Sequence, residues 1–142
     1  MIKKKSTLTQ DAKTIREEVF MKEQGFKDEF DAIDAQAIHL IYYEDNVPVA
    51  VCRYYADTSP GVTILGRLAV RASHRGKNLG KHMVEAAEKS IRQEGATKIV
   101  LSAQVKARSF YEKCGFAAIG DLYLDEGCPH IRMEKTLTSE RG

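Results

Sequence analysis

A basic turn between an apolar strand and a helix is the part of this sequence best suited to chemistry. Five Arg or Lys and no carboxylate occur from Arg67 to Lys81. Glycines let a backbone approach an anion closely, and the first N–H groups of a helix, with the helix dipole, attract phosphate. We therefore predict that a phosphorylated ligand docks after the strand Leu68-Ala69-Val70, on Arg75, Gly76, Lys77, Asn78, Leu79, Gly80 and Lys81.

The spacing of this turn differs from two well-known phosphate loops. It lacks the G-x-x-x-x-G-K-[ST] pattern of the Walker loop and the G-x-G-x-x-G pattern of dinucleotide-binding folds. ATP and NAD are thus disfavoured as ligands. Taken alone, the turn is equally compatible with a solvated strand-to-helix connection.

Length and composition indicate a single domain over residues 1–142, which at this size buries about 68–70% of the surface that its unfolded chain exposes. The net charge of +2 is too small to indicate a polyanion, so we expect no nucleic-acid partner. No run approaches the roughly 20 apolar residues that a membrane span needs. We therefore expect a soluble, cytoplasmic protein that does not act at a membrane.

The cysteines indicate neither a disulfide framework nor a zinc site. Cys52, Cys114 and Cys128 are odd in number, lie far apart and form no C-x-x-C pair. We predict free thiols in a reducing compartment and no metal.

Hydrophobic periodicity alternates between helix and strand along the chain. Predicted strands occupy residues 37–43, 47–57, 62–70, 98–103, 116–124 and 130–136. Predicted helices are one that Thr9 caps, one from Leu79 that ends at Gly95, and a short one over residues 108–113. Gly66 predicts a bulge in the third strand.

The order of these elements predicts an α/β (α+β mixed-sheet) fold. The strands 62–70 and 98–103 flank a crossover helix and should form one parallel βαβ unit, while the remaining strands pair as antiparallel hairpins. The expected architecture is a central mixed, mostly antiparallel twisted sheet with about four helices. The acidic segment that contains Glu23, Glu29, Asp31 and Asp34 is interpreted as a solvated loop, or secondarily as a surface that attracts a cationic amine.

A second motif, ARSFYEKCGF from Ala107 to Phe116, follows the basic turn along the chain. With both motifs and this element order, the chain resembles the GNAT superfamily of acyl-CoA-dependent N-acetyltransferases over nearly its whole length. Segments 19–24 and 125–130 are similar to the small ElaA-like bacterial branch. The resemblance therefore implies a GNAT-like fold and an acetyltransferase activity.

Two positions depart from the family's motifs. The family's turn reads Q/R-x-x-G-x-G/A, which Arg75 and Gly80 match, whereas Asn78 stands where glycine is usual. Asn tolerates left-handed backbone geometry, so we expect the turn to keep the backbone conformation that binds the anion. Gln104 stands where many relatives carry Asn, which keeps an amide with a different reach.

The resemblance also implies roles for individual residues. The backbone of Leu68, Ala69 and Val70 would pair with the pantetheine arm of acetyl-CoA, and the residues from Arg75 to Lys81 would hold the pyrophosphate. Tyr111 would lie beside the thioester sulfur, with Gln104 and Ser109 also contacting the cofactor. Acetyl-CoA is then the acyl donor, CoA the product, and a small amine or peptide the acceptor.

Attack of an amine on a thioester requires removal of a proton. An amine of pKa about 10.4 is neutral only a few times in ten thousand at pH 7, so a carboxylate, histidine or ordered water must accept its proton. We name Glu126 and His130 as catalytic candidates beside Tyr111, with Asp125 weaker. His130 on an apolar strand is also compatible with a structural role. Cys128 is a less economical alternative, as a nucleophile that takes the acyl group first.

Other interpretations remain open at this point. A non-catalytic acyl-CoA-binding sensor would keep the basic turn but need no acid or base. A nucleic-acid-binding domain would use the basic face and lose affinity steeply with salt. Tyr111, Phe110 and Phe116 also fit an ordinary aromatic core cluster. The sequence is compatible with a monomer or a homodimer.

Overall fold

The computed structural model describes residues 1–137, which form one seven-stranded sheet with the strand order β1-β2-β3-β4-β5-β7-β6. The strands are β1 (Ile2–Lys5), β2 (Ile38–Glu44), β3 (Val47–Ala56), β4 (Val62–Val70), β5 (Lys98–Gln104), β6 (Ala117–Asp125) and β7 (Cys128–Thr136). Within the described residues there are three α-helices, α1 (Gln10–Arg16), α2 (Leu79–Gln93) and α3 (Arg108–Lys113).

The strand pairing confirms the predicted mixed sheet. β4 and β5 are parallel, from Val62 opposite Lys98 to Ile64 opposite Val100, with α2 as the crossover. The β1–β2, β2–β3, β5–β7 and β6–β7 pairs are antiparallel. None of the helices within residues 1–137 has the length and apolar character required to cross a bilayer.

Two features of the sheet differ from the sequence predictions. β1 was not predicted, because its three lysines hide the strand signal; they lie exposed on an edge strand, where lysine discourages pairing with another sheet. In β4 the left-handed residue is Arg67, with φ +54°, rather than the neighbouring Gly66. The Arg67 side chain is anchored in the first unit, because its Nε and Nη2 donate to the Glu29 carbonyl at 3.3 and 3.2 Å.

The residues form two compact units, each built from two separate segments of chain. The first unit comprises Met1–Tyr55 and Gly66–Ala87, and the second comprises Ala56–Leu65 with the described residues from Glu88. The single-domain interpretation of residues 1–142 stays a prediction. The three cysteines are free, and burial raises the pKa of the Cys52 thiol to about 12.

In the first unit, α1 packs its apolar stripe against the sheet. Thr9 caps the helix as predicted, because its side chain accepts a hydrogen bond from the Ala12 amide at 3.3 Å. The helix continues as a π-helix over Glu17–Glu23, which turns Val19 and Phe20 inward. These residues share one core, whose members are Ala12, Ile15, Val19, Phe20, Ile41, Val51 and Ala69.

An ionic cluster with a buried centre of Arg16, Glu29, Asp34 and Arg53 joins α1 and the segment after it to β3 and β4 in the first unit. Its six charged members are Arg16, Glu29, Asp31, Asp34, Arg53 and Arg67. Arg16 donates to Asp34 at 2.7 Å and to Glu29 at 2.7 Å, and only 1% of its surface is exposed. The interpretation of this acidic segment as a solvated loop was therefore wrong for Glu29 and Asp34, which are buried.

Opposing effects act on the carboxyls of this ionic cluster. Burial opposes ionisation of Asp34, but hydrogen bonds from Arg16 and Arg53 outweigh it and lower the pKa of Asp34 to about 2. At Glu29 burial is the larger effect and raises the pKa. His39 places its Nε2 3.0 Å from the Asp34 carbonyl oxygen, and burial lowers its pKa.

In the second unit, Lys135 on β7 secures the end of α3. Its Nζ lies 2.6 Å from Glu88 on α2 and donates to the Cys114 carbonyl at 2.9 Å. Gly115 ends α3 as predicted, with φ +95°. A Cβ at Gly115 would approach Cε and Nζ of Lys135 to 3.0 Å, so a larger residue would displace this lysine in addition to the strain of a positive φ.

Candidate functional site

The basic turn of the first unit adopts a conformation that exposes backbone donors. After β4, a short 3₁₀ turn over Ala72–His74 leads to Gly76 with φ +84° and Asn78 with φ +61°. The left-handed geometry expected for Asn78 is therefore confirmed. A side chain at Gly76 would add strain to this turn, because L-residues rarely adopt its φ.

The N-terminus of α2 follows this turn directly. The first bond of the helix runs from the His82 amide to the Asn78 carbonyl at 3.1 Å. The preceding N–H groups, on Leu79, Gly80 and Lys81, belong to the first turn, which has no intrahelical acceptor for them. A helix of 15 residues adds a favourable dipole at this end. The arrangement fits an anion such as a pyrophosphate.

Arg75 is already engaged by a carboxylate. Its Nη1 and Nη2 donate to the two oxygens of Glu23 at 2.6 and 2.7 Å, and this pair raises the pKa of Arg75. Its Nε donates to the Val70 carbonyl at 3.0 Å. Both side chains of the ion pair are more than 40% exposed, so an incoming anion can replace Glu23 without crossing a packed core.

Carboxylates from other elements also contact this basic turn. Glu44 lies 3.6 Å from Lys77 and 3.9 Å from His74, and Glu18 binds Arg71 at 2.8 Å. Sequence reasoning missed these partners, because the segment from Arg67 to Lys81 itself contains no acid and its partners lie far away along the chain. Within residues 1–137, Lys81 makes no ion pair and contributes an unmatched positive charge.

The strand that leads into the turn has the accessibility expected of a ligand-binding edge. Leu68 and Val70 are half-buried and Ala69 is buried. β4 continues for six residues past Ile64, the last residue of its parallel ladder. The structure thus places all the predicted cofactor-binding residues from Leu68 to Lys81 consecutively at the end of β4, through the turn, and at the start of α2.

In the second unit, Tyr111 sits on α3 between two aromatic rings. Its ring makes edge-to-face contacts with Phe110 at 5.0 Å and Phe116 at 6.0 Å between centroids. Phe116 is buried, whereas Tyr111 is half-buried. This contact geometry fixes the direction of the Tyr111 ring. Ser109 lies exposed in the first turn of the same short helix.

Gln104 and His130 are directly opposed in the second unit. Gln104 ends β5, and its Cα partner on β7 is His130. The His130 ring is buried, and its Nδ1 lies 2.8 Å from the Cys128 carbonyl oxygen. A carbonyl oxygen only accepts, so Nδ1 carries the proton in the neutral ring and the lone pair is on Nε2. That tautomer is the one in which Nε2 accepts a proton.

Glu126 occupies the tip of the β6–β7 hairpin. With Gly127 it forms a two-residue turn in which both residues have positive φ, 49° and 76°. Its side chain is exposed, as is Asp125. The structure therefore gives Glu126 and His130 different surroundings, one on an exposed turn and one in a buried position opposite Gln104. Cys128, at the start of β7, is half-buried.

Comparison with known proteins gives consistent matches. A model described as an acetyltransferase (GNAT) domain matches residues 5–137. YjcF of Bacillus subtilis (strain 168), named an uncharacterized N-acetyltransferase, is 34% identical over 138 residues, or 95% of this chain and 97% of YjcF. The crystal structure of Escherichia coli ElaA has a TM-score of 0.83 at 24% identity, covering 95% of this chain and 99% of ElaA.

The fold is also shared with an aminoglycoside 6'-N-acetyltransferase that was crystallised with coenzyme A. Its TM-score is 0.75 at 16% identity, covering 100% of this chain and 99% of that protein. At these identities, the two structures show a common fold.

Proposed function

This chain belongs to the acetyltransferase (GNAT) domain family, and from that membership we propose that it transfers an acetyl group from acetyl-CoA to a primary amine of a small molecule or peptide. The transfer is direct, within a ternary complex. The observation that supports this proposal most strongly is the backbone of the turn before α2, where Gly76 and Asn78 adopt left-handed geometry ahead of the open N–H groups of Leu79, Gly80 and Lys81.

This turn and its flanking residues bind and orient the donor. First-turn N–H groups and Lys81 hold the pyrophosphate, and Arg75 joins them when it leaves Glu23. The backbone of Leu68–Val70 pairs with the pantetheine amides like an added strand. Acetyl-CoA supplies an activated thioester, so that the reaction forms a C–N bond and breaks a C–S bond.

Proton transfer is assigned first to His130, the residue opposite Gln104. His130 accepts the proton of the attacking amine at Nε2, because its Nδ1 proton is committed to the Cys128 carbonyl. Glu126 is the second candidate for that role, through a water. Tyr111 donates a hydrogen bond to the departing sulfur. Full transfer from a phenol of pKa about 10 to a thiolate of pKa about 8.5 is uphill by roughly 2 kcal/mol, so we assign Tyr111 mainly to stabilisation.

Thiol release from acetyl-CoA tests this proposal. The purified protein is incubated with acetyl-CoA and a panel of polyamines, amino acids and peptides, while calorimetry measures CoA binding. Turnover with at least one amine, together with CoA binding, is expected. Tight CoA binding without release across the panel would indicate an acyl-CoA sensor, and the absence of heat with CoA would refute the donor site.

A further inference from the structure

One face of the second unit's sheet carries a polar cluster that the proposed mechanism does not fully use. Cross-strand partners lie on the same face of a sheet. Ser102 on β5 is opposite Arg132 on β7, and His130 on β7 is opposite Tyr123 on β6. Ser102, Arg132 and Tyr123 are exposed, whereas Ile131, which points to the other face, is 4% exposed.

Contacts within this polar cluster fix its geometry. The hydroxyls of Ser102 and Tyr123 are hydrogen-bonded to each other across β7. The Tyr123 ring stacks on His130 with centroids 6.0 Å apart and planes inclined by 26°. The two hydroxyls and the imidazole are thereby ordered relative to one another, on the same face as Gln104 at the end of β5.

Arg132 on this face has no ion-pair partner among the described residues. Among residues 1–137, no acceptor or carboxylate engages its guanidinium. The nearest acid along its own face of β7, Glu134, is paired with Lys98 at 3.6 Å. One unpaired guanidinium next to a hydroxyl fits a carboxylate, which carries a single charge and accepts two parallel N–H bonds from arginine.

We propose that this face binds the carboxylate of the acceptor, so that the amine substrate is a free amino acid or a similar amine that carries a carboxylate. The inference rests on the proposed function. Arg132 holds the carboxylate with the help of the Ser102 and Tyr123 hydroxyls. The amine of the same molecule then faces His130, which stands two residues before Arg132 on the same face of β7.

Matched pairs of amines that differ only in a carboxylate test this assignment. Thiol release is compared for lysine and cadaverine, ornithine and putrescine, and phenylalanine and phenethylamine. We expect kcat/KM to be at least about tenfold higher for the amino acid of a pair, the factor expected of hydrogen bonds to a charged group. Equal rates within every pair, or a preference for the amine without a carboxylate, would overturn the inference.

Two substitutions localise the preference. Arg132→Gln should bring the ratio within each pair close to one. Lys89→Gln removes another exposed positive charge, from α2, and should leave the ratio unchanged. An Arg132→Gln variant that slows both members of a pair equally would argue for a structural role of Arg132 and against carboxylate binding.

A binding measurement separates this inference from the proposed function. In ¹⁵N-labelled protein with CoA, N-acetylphenylalanine should shift the amide resonances around Ser102, Tyr123 and Arg132, whereas N-acetylphenethylamine should not. Such shifts without turnover of any amine would support the carboxylate site and refute the acetyltransferase proposal. Turnover without a carboxylate preference and without these shifts would support the acetyltransferase proposal and refute the carboxylate site.

Discussion

Asn78 provides a direct test of the turn before α2. Its φ of +61° lies in the left-handed region, which costs an ordinary L-residue about 1–2 kcal/mol and a β-branched residue more. Asn78→Val places that cost on the turn, while Asn78→Gly removes it. The side chain is exposed, so neither change alters core packing.

The strain in Asn78→Val must appear in one of two ways. If the turn keeps its geometry, the free energy of unfolding falls by about 1–2 kcal/mol. If the turn relaxes, the N–H groups of Leu79 and Gly80 lose their alignment, and CoA affinity falls by the corresponding factor of about 5 to 30. Asn78→Gly should keep CoA affinity close to that of the natural protein, with a small loss of stability from the freer unfolded chain.

Calorimetry with CoA and urea unfolding, performed on both variants, measure these two quantities. We expect the sum of the two losses in Asn78→Val to reach at least about 1 kcal/mol, with Asn78→Gly as the matched control. Unchanged CoA affinity and unchanged stability in Asn78→Val would refute the argument from backbone geometry.

Three further predictions follow from the contacts above. Tyr111→Phe should lower kcat about 10- to 100-fold with little change in CoA affinity, because it loses a hydrogen bond to a charged sulfur. Tyr42→Phe, which removes a hydroxyl on β2, is the control. An unchanged kcat in Tyr111→Phe would contradict the role of Tyr111 at the sulfur. Burial lowers the pKa of His39, so the folded protein binds a proton there less readily than the unfolded chain does. The free energy of unfolding should therefore fall as pH drops below about 6.5, by at most about 1.4 kcal/mol per pH unit. Urea midpoints measured from pH 7.5 to 5 should change less with pH in His39→Gln, and an equal change in both proteins would exclude His39 as the source. Gly115→Ala should destabilise the protein by about 1–2 kcal/mol or more, because the new Cβ contacts Lys135 and the residue keeps a strained positive φ. Gly120→Ala, at φ +78° with open space around it, is the control that carries only the backbone strain. Thermal unfolding that ranks Gly120→Ala as the more destabilised variant would contradict this reasoning.

Elements with strong local signals were predictable from the sequence. α2 was predicted because Leu79, Met83, Ala87 and Ile91 repeat at helical spacing, and all four are buried. The β2–β3 hairpin followed from the short polar break Glu44-Asp45-Asn46 between the two predicted strands. β1 escaped prediction because its lysines carry no apolar alternation and its pairing with β2 depends on residues far away in sequence.

The candidate site was predictable only where the backbone defines it. The residues from Leu68 to Lys81 are contiguous, so their motif can be recognised in the sequence. The ion pair of Arg75 with Glu23 joins residues 52 positions apart, and no local pattern indicates it. The same holds for the cluster of Ser102, Tyr123 and Arg132, because strand register, which brings these side chains together, is a property of the whole sheet.

The ionic cluster of the first unit has a consequence for how this sequence can change over evolution. Its formal charges balance, with three guanidinium groups and three carboxylates. Replacing one partner, such as Arg16, leaves an opposite charge unpaired in the interior. Replacing all the buried partners by apolar residues of similar volume is tolerated. We expect relatives either to keep the four buried positions, Arg16, Glu29, Asp34 and Arg53, together or to have lost them together, so that this centre of the cluster is inherited as a block.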